Sequence, residues 1–193
     1  MKLESITVYC GSASGKNPAF AAAARDLGAE IARRKIRLIY GAGSRGLMGI
    51  LADSALEGGG EVIGVVPRQF VPEVVHDGLS DIIYTDSISE RKRLMSELGD
   101  AHIALAGGIG TLDEISEALQ LLQLRETSNP CGFLNTANFY DRLFDFFDCA
   151  MREGFLSEAH RKMVISDDTP CGLIEKLLAY KPDFDCPFWK RNS

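Results

Sequence analysis

The sequence predicts a doubly wound α/β fold: one domain built on a mainly parallel sheet of about seven strands, with helices on both faces. Three observations carry this expectation. Short β-rich apolar runs alternate with longer stretches of helical periodicity along the chain, the signature of a parallel sheet covered on both sides. Two of the runs end in glycine loops that lead straight into helices. The length of 193 residues with 46% hydrophobic residues suits a single core that needs no disulfide or metal staple.

The elements follow in order. SITVYC (Ser5 to Cys10) reads as the first strand and ends in the loop Gly11-Ser12-Ala13-Ser14-Gly15. Pro18 suits a first helical turn and opens an alanine-rich helix to Arg34. RLIY (Arg37 to Tyr40) is the second strand and runs into GAGSRG (Gly41 to Gly46). A helix from Leu47 to Glu57 is stopped by Gly58-Gly59-Gly60, and EVIGVV (Glu61 to Val66) is a third strand halted by Pro67. Residues 68–81 lack periodicity and read as a loop near a site. IIYT (Ile82 to Thr85) is a short strand. Ser87 and Glu90 then form an S-x-x-E capping box for a helix to Leu98. HIALA (His102 to Ala106) reads as a central strand, followed by Gly107-Gly108-Ile109-Gly110-Thr111 and a helical stripe through Ile115, Leu119 and Leu122 to Arg125. A strand (Cys131 to Leu134), a long aromatic helix (Tyr140 to Glu153), a short strand (Met163 to Ser166) and a helix from Pro170 complete the pattern. The domain is expected to span residues 1–181, with an irregular tail over 182–193 carrying Pro182 and Pro187.

A formal charge of −6 disfavours broad binding to nucleic acid or to an acidic membrane surface. The five cysteines are odd in number, widely spaced and without a CxxC pair, which fits reduced thiols rather than a disulfide framework or a zinc site. His76, His102 and His160 share no metal-ligand spacing, so no metal is expected, and His102 reads as a structural core histidine. No apolar segment approaches the ~20 residues of a membrane span, and the expected compartment is the cytoplasm.

GAGSRG satisfies G-x-G-x-x-G between a strand and a helix, the outline of a dinucleotide fingerprint. The acid expected at the end of the next strand is missing, because that strand ends Val65-Val66-Pro67-Arg68. A tight turn or a loop lining a mononucleotide site remains, with Gly43, and Ser12 of the first loop, as candidate contacts. AGGIGTLDE (Ala106 to Glu114) is more informative. Three glycines after a buried strand leave backbone N–H groups free for an anion at a helix N-terminus, and Thr111 can cap that helix or donate to a phosphate oxygen. No Walker A motif accompanies it. Glu114 in that first turn can serve the helix dipole, as Asp113 equally could, or meet the sugar of a ligand. Glu90-Arg91-Lys92-Arg93 places cations in a first helical turn, where the dipole disfavours them; a bound anion, a paired acid or a solvated face would account for that.

These residues together resemble the LOG family, the cytokinin riboside 5′-monophosphate phosphoribohydrolases, once labelled lysine decarboxylases. The family signature PGGxGTxxE, preceded by a helix with an RK pair, appears as AGGIGTLDE with Arg91-Lys92. VYCGSASG, YGAGSRGLMG and CGFLN followed by FYD and EGF extend the resemblance over roughly residues 5–180. The resemblance implies a Rossmann-like fold and hydrolysis of the N-glycosidic bond of a nucleoside 5′-monophosphate to free base and ribose 5-phosphate, without a cofactor. Arg91 and Glu114 are then the catalytic pair. Lys92 and the loop Gly107, Gly108, Ile109, Gly110 and Thr111 hold the nucleotide, Glu73 sits at the spacing of a substrate-contacting acid, and a homodimer is expected. The chain departs from the pattern at Ala106 instead of proline, at Ile88-Ser89 instead of methionine-histidine, and at Gln120, where cytokinin-forming members carry threonine. These changes touch base preference and leave AMP or another purine monophosphate as alternative substrates. A non-catalytic nucleotide sensor and a pyridoxal-phosphate decarboxylase are the rival expectations; no lysine has an evident strand-end setting for the latter.

Overall fold

The computed structural model describes residues 2–71 and 75–182. Its strands are β1 (Ser5–Tyr9), β2 (Arg37–Tyr40), β3 (Val62–Pro67), β4 (Asp81–Thr85), β5 (Ala101–Ala104), β6 (Cys131–Leu134) and β7 (Val164–Asp167). They form one seven-stranded sheet in the order β4-β3-β2-β1-β5-β6-β7, and every strand pairing in it is parallel. The helices are α1 (Pro18–Arg33), α2 (Gly46–Glu57), α3 (Ile88–Leu98), α4 (Ile109–Gln123), α5 (Asp141–Arg152), α6 (Glu158–Arg161) and α7 (Pro170–Ala179).

Every residue of β1 is buried, as a parallel strand covered on both faces requires. Alternation along the strands divides the interior into two cores. Ile6, Val8, Leu38, Tyr40, Ile103 and Leu105 face α1, α2 and α7, whereas Tyr9, Ile39, Ile63, Val65 and Phe133 face the side of α3 and α4. α1 and α2 cross closely because Gly28 has no side chain. A Cβ there would strike the carbonyl of Leu51, and the Ser54 hydroxyl of α2 donates to the Arg25 carbonyl of α1 at 2.7 Å. On the opposite face, the Thr7 hydroxyl donates to the Met95 carbonyl at 2.7 Å and ties α3 to β1.

The chain leaves β1 for β2, β3 and β4 on one side, then returns to β5 on the other. The order therefore reverses between β1 and β5. The loops leaving these two strands part there, opening a crevice at their carboxyl ends where ligands of such folds bind.

Several local expectations change in detail. The Ser87 side chain caps Glu90 N–H at 3.1 Å as predicted, but the Glu90 carboxylate accepts from Asp86 N–H at 2.8 Å and not from Ser87 itself. Within the stretch read as a loop, Arg68–Phe70 forms a 3-10 turn and Val75 bridges to Gly43. The short helix α6 went unpredicted, because four residues are too few to show a period. The predicted tail falls almost wholly outside the described residues, as does Glu73.

His102 on β5 is fully buried, with its Nδ1 3.4 Å from the Tyr9 hydroxyl, and burial lowers its pKa from 6.5 to about 4. An unfolded chain takes up a proton there that the native state refuses, so stability falls as pH drops from about 6.5 towards 4. Over that window His102 should remove on the order of 3 kcal/mol. Urea unfolding at a series of pH values measures it, and His102→Gln should flatten that part of the acid limb.

Candidate active site

The crevice at the strand ends contains two adjoining cavities that share Ser12. One, of about 320 Å³, lies between the Gly11–Gly15 loop after β1 and Ala106, Gly107 and Gly108 after β5. The other, of about 520 Å³, is lined by Gly41, Gly43, Ser44, Arg45 and Met48 of the loop after β2, by Val66, Pro67 and Phe70 after β3, and by Arg91.

Arg91 stands on the first turns of α3, and Glu114 on those of α4. The Arg91 Nη2 donates to Glu114 Oε1 at 2.9 Å, with the two side chains only 18% and 12% exposed. Burial raises the Glu114 pKa, and the Arg91 guanidinium pulls against that rise. Asp113 and Glu117 push it further up, while Lys92 helps to lower it. Arg91 Nε is buried without a hydrogen-bond partner among the described residues. An unsatisfied buried donor costs about 1–3 kcal/mol, which a ligand atom at that position would relieve.

The route of Arg91 to this place depends on Gly41. A Cβ on Gly41 would overlap the Arg91 guanidinium and come within 2.7 Å of the Met48 methyl. The next residue, Ala42, is held at φ 62°, a left-handed conformation that costs an L-residue roughly 1–2 kcal/mol. It is fixed by the bond from His76 N–H to its carbonyl at 2.9 Å. The loop after β2 is thus strained into shape beside the cavity, as functional loops commonly are.

The glycine loop after β5 serves two ends. A Cβ on Gly107 would collide with the Thr111 side chain, whereas one on Gly108 or Gly110 would meet nothing within 4 Å. Gly107 therefore seats Thr111, and Gly108 and Gly110 leave the backbone open to a ligand. The predicted cap is corrected here: Gly108 occupies the N-cap of α4, and Thr111 is a buried first-turn residue, since its side chain packs against Gly107. The N–H groups of Ile109, Gly110 and Thr111 head the helix, where no intrahelical acceptor exists for them.

The other predicted residues divide. Ser12 and Gly43 line the cavities with Arg91. Lys92 does not; its ammonium pairs with Asp113 at 3.0 Å and Glu117 at 2.6 Å, bracing α3 against α4. These carboxylates, Glu117 foremost, raise its pKa and hold it protonated. Gln120 lies apart, in a small groove with Leu119, Phe147, Leu156 and His160 on the outer side of α4. Arg45, Met48 and Phe70 are cavity residues that the sequence reading did not single out, although Arg45 lay within GAGSRG.

Gly41→Ala should displace the Arg91 guanidinium and weaken by about 10- to 100-fold any function that depends on that group's position, the penalty of misplacing one group of a preorganised site. Gly108→Gln, whose side chain starts in open space, should leave stability unchanged and weaken ligand binding. Steady-state kinetics beside thermal unfolding of both variants separates the two effects.

Comparison with known proteins gives a consistent result. The family profile described as "Possible lysine decarboxylase" matches residues 48–177. The chain is 41% identical over 181 residues to the cytokinin riboside 5′-monophosphate phosphoribohydrolase LOG of Oryza sativa subsp. japonica, covering 93% of this chain and 75% of that protein. It is 43% identical over 164 residues to the cytokinin riboside 5′-monophosphate phosphoribohydrolase of Rhodococcoides fascians, covering 84% of this chain and 83% of the relative. Among solved structures, the molybdenum cofactor binding protein of Rippkaea orientalis superposes with a TM-score of 0.71 at 24% identity, over 93% of this chain and 98% of that one. At that identity the likeness shows the Rossmann-like fold alone.

Proposed function

The chain belongs to the LOG family of cytokinin riboside 5′-monophosphate phosphoribohydrolases, and from that premise we propose how its site works. The protein hydrolyses the N-glycosidic bond of a purine nucleoside 5′-monophosphate, giving free base and ribose 5-phosphate. The observation that carries the assignment of roles is the buried Arg91–Glu114 pair at 2.9 Å beside two adjoining cavities.

The 5′-phosphate enters the smaller cavity, where the N–H groups heading α4 and that helix's dipole favour an anion. The base occupies the larger, mainly apolar cavity against Met48, Val66, Pro67 and Phe70. The ribose then spans the junction near Ser12, with Arg91 and Glu114 beside it. As the C1′–N bond lengthens, its electron pair leaves with the base and positive charge develops on the sugar, as in other glycoside cleavages. The Glu114 carboxylate stabilises that charge and directs water to C1′; the oxygen of that water bonds to C1′ and the proton it gives up ends on the departing base nitrogen. Arg91 keeps the carboxylate ionised against its raised pKa and orients the sugar. Phosphate binding far from the bond being broken supplies energy for positioning.

The decarboxylase chemistry in the family's older description does not fit these residues. It needs pyridoxal phosphate joined to a lysine as a Schiff base. Among the described residues no lysine lines either cavity, and Lys92, the nearest in sequence to Arg91, is held charged by two carboxylates.

The working assembly is a homodimer in the cytoplasm. No helix among the described residues is long and apolar enough to cross a membrane. α5 buries none of its residues within one chain, although it is strongly amphipathic. Ile109 at the head of α4 is 89% exposed, Phe155 87% and Phe146 62%, an apolar display that supports a subunit contact. Phe146→Glu with Phe155→Glu should shift the mass measured by light scattering from dimer to monomer.

Purified protein given AMP and isopentenyladenosine 5′-monophosphate should release free base on chromatography, and the corresponding nucleosides should yield none. Glu114→Gln should lose at least about 100-fold in turnover, the usual cost of removing a group that acts on the transition state, while still binding nucleotide. Tight binding without product over long incubation would overturn the hydrolase reading in favour of a sensor.

A further inference from the structure

The site must hold a phosphate dianion in a chain of net charge −6, yet the cations expected to do so each already face a carboxylate. Arg91 is paired with Glu114, and Lys92 with Asp113 and Glu117. The smaller cavity, into which the glycine loops point their backbone, has no basic side chain among the described residues of its wall. The larger cavity has two, Arg91 and Arg45, and no acid among the described residues of its wall. Of these two, Arg45 has a side chain with no carboxylate or hydrogen-bond partner among the described residues, while its backbone carbonyl accepts from Gly49 N–H at 3.2 Å.

Arg45 is also poorly chosen for folding. It occupies the N-cap of α2 with φ −117° and ψ 164°, and its side chain makes no capping bond. Serine, threonine, aspartate and asparagine favour that position because their oxygens accept from the first N–H groups, which arginine cannot do. A cation at this end also opposes the helix dipole. Two unfavourable choices at one exposed position, in a strained loop lining the candidate site, call for a gain outside folding. Ligand binding supplies one.

The placement limits what Arg45 can reach. The Leu47 N–H donates to the Gly11 carbonyl at 3.1 Å, and a Cβ on Gly46 would overlap the Ser12 carbonyl. The start of α2 is therefore clamped onto the Gly11–Gly15 loop, one wall of the smaller cavity. Arg45 precedes this clamp by one residue, close to Ser12, where the two cavities meet.

We infer that Arg45 is a substrate-binding residue, whose guanidinium reaches from the wall of the larger cavity to the 5′-phosphate of the nucleotide at the junction of the two cavities beside Ser12. This rests on the hydrolase reading for its substrate, but the anion site can be tested without turnover. Planar guanidinium donors suit a phosphate face, and the pairing needs no competing carboxylate to be displaced.

The test uses Arg45→Ser and Arg45→Lys in the full chain. Arg45→Ser should raise KM for AMP about 10- to 100-fold, the worth of one charge-assisted hydrogen bond, with kcat reduced no more than severalfold. Inhibition by ribose 5-phosphate should weaken by the same factor and inhibition by free adenine should not change. Arg45→Lys should recover part of the loss. Without ligand, Arg45→Ser should melt at the wild-type temperature or above, because serine is the better N-cap. An unchanged KM overturns the inference, as does weaker adenine inhibition with ribose 5-phosphate unaffected, which would place Arg45 on the base. A lower melting temperature with parallel loss of both inhibitors also overturns it, as the mark of a structural role. If the wild-type protein releases base from no nucleotide, the hydrolase reading fails separately. Ribose 5-phosphate raising the melting temperature of wild type and not of Arg45→Ser would still support the anion site, and equal shifts in both would end it.

Discussion

Arg91 and Glu114 meet because three separate elements yield to them. α3 is tied to β1 by the Thr7–Met95 hydrogen bond, α4 is seated by its buried residues Ile115, Ala118 and Leu122, and the loop after β2 gives up a side chain at Gly41. The pair is nearly buried, and removing either partner would leave the other charge in a poorly solvated place, an expensive arrangement. The site is therefore assembled as one unit. Its two charges, the helices that carry them and the glycine that admits them depend on one another.

Around that pair the charges are sorted by partner. Lys92 follows Arg91 directly but points about 100° further around the helix, the rotation of one residue in a turn of 3.6. That rotation carries it away from the cavities and into contact with Asp113 and Glu117 of α4. Two adjacent cations in one motif thus do different work: one lines the larger cavity and the other locks two helices together. The locking keeps Glu114 at a fixed distance from Arg91, which a preorganised electrostatic site requires.

The glycines divide in the same way. Gly41, Gly46 and Gly107 are bare because a neighbouring group already fills the space where a Cβ would stand. Gly108 and Gly110 are bare with open space around them. The first kind shapes the walls of the crevice, and the second leaves backbone N–H groups accessible at the head of α4. A motif count sees five similar residues. Packing separates those that hold the site together from those that face its contents.

Much was legible from the sequence alone. Alternating strand and helix patterns gave the parallel sheet, since strands buried on both faces must be apolar throughout and crossover helices must be amphipathic. The glycine loops at strand ends drew attention to the carboxyl edge of the sheet, and the resemblance of AGGIGTLDE and the Arg91-Lys92 pair to the family signature singled out Arg91 and Glu114, which the fold brings into contact. These are local signals, written in runs of ten or twenty residues. The order of strands, the two cavities meeting at Ser12, the steric need for Gly41, the bracing role of Lys92 and the distance of Gln120 from Arg91 were settled only in the folded chain. Each depends on which faces of elements far apart in sequence come together, and helix phase and loop path fix that only once the cores have closed.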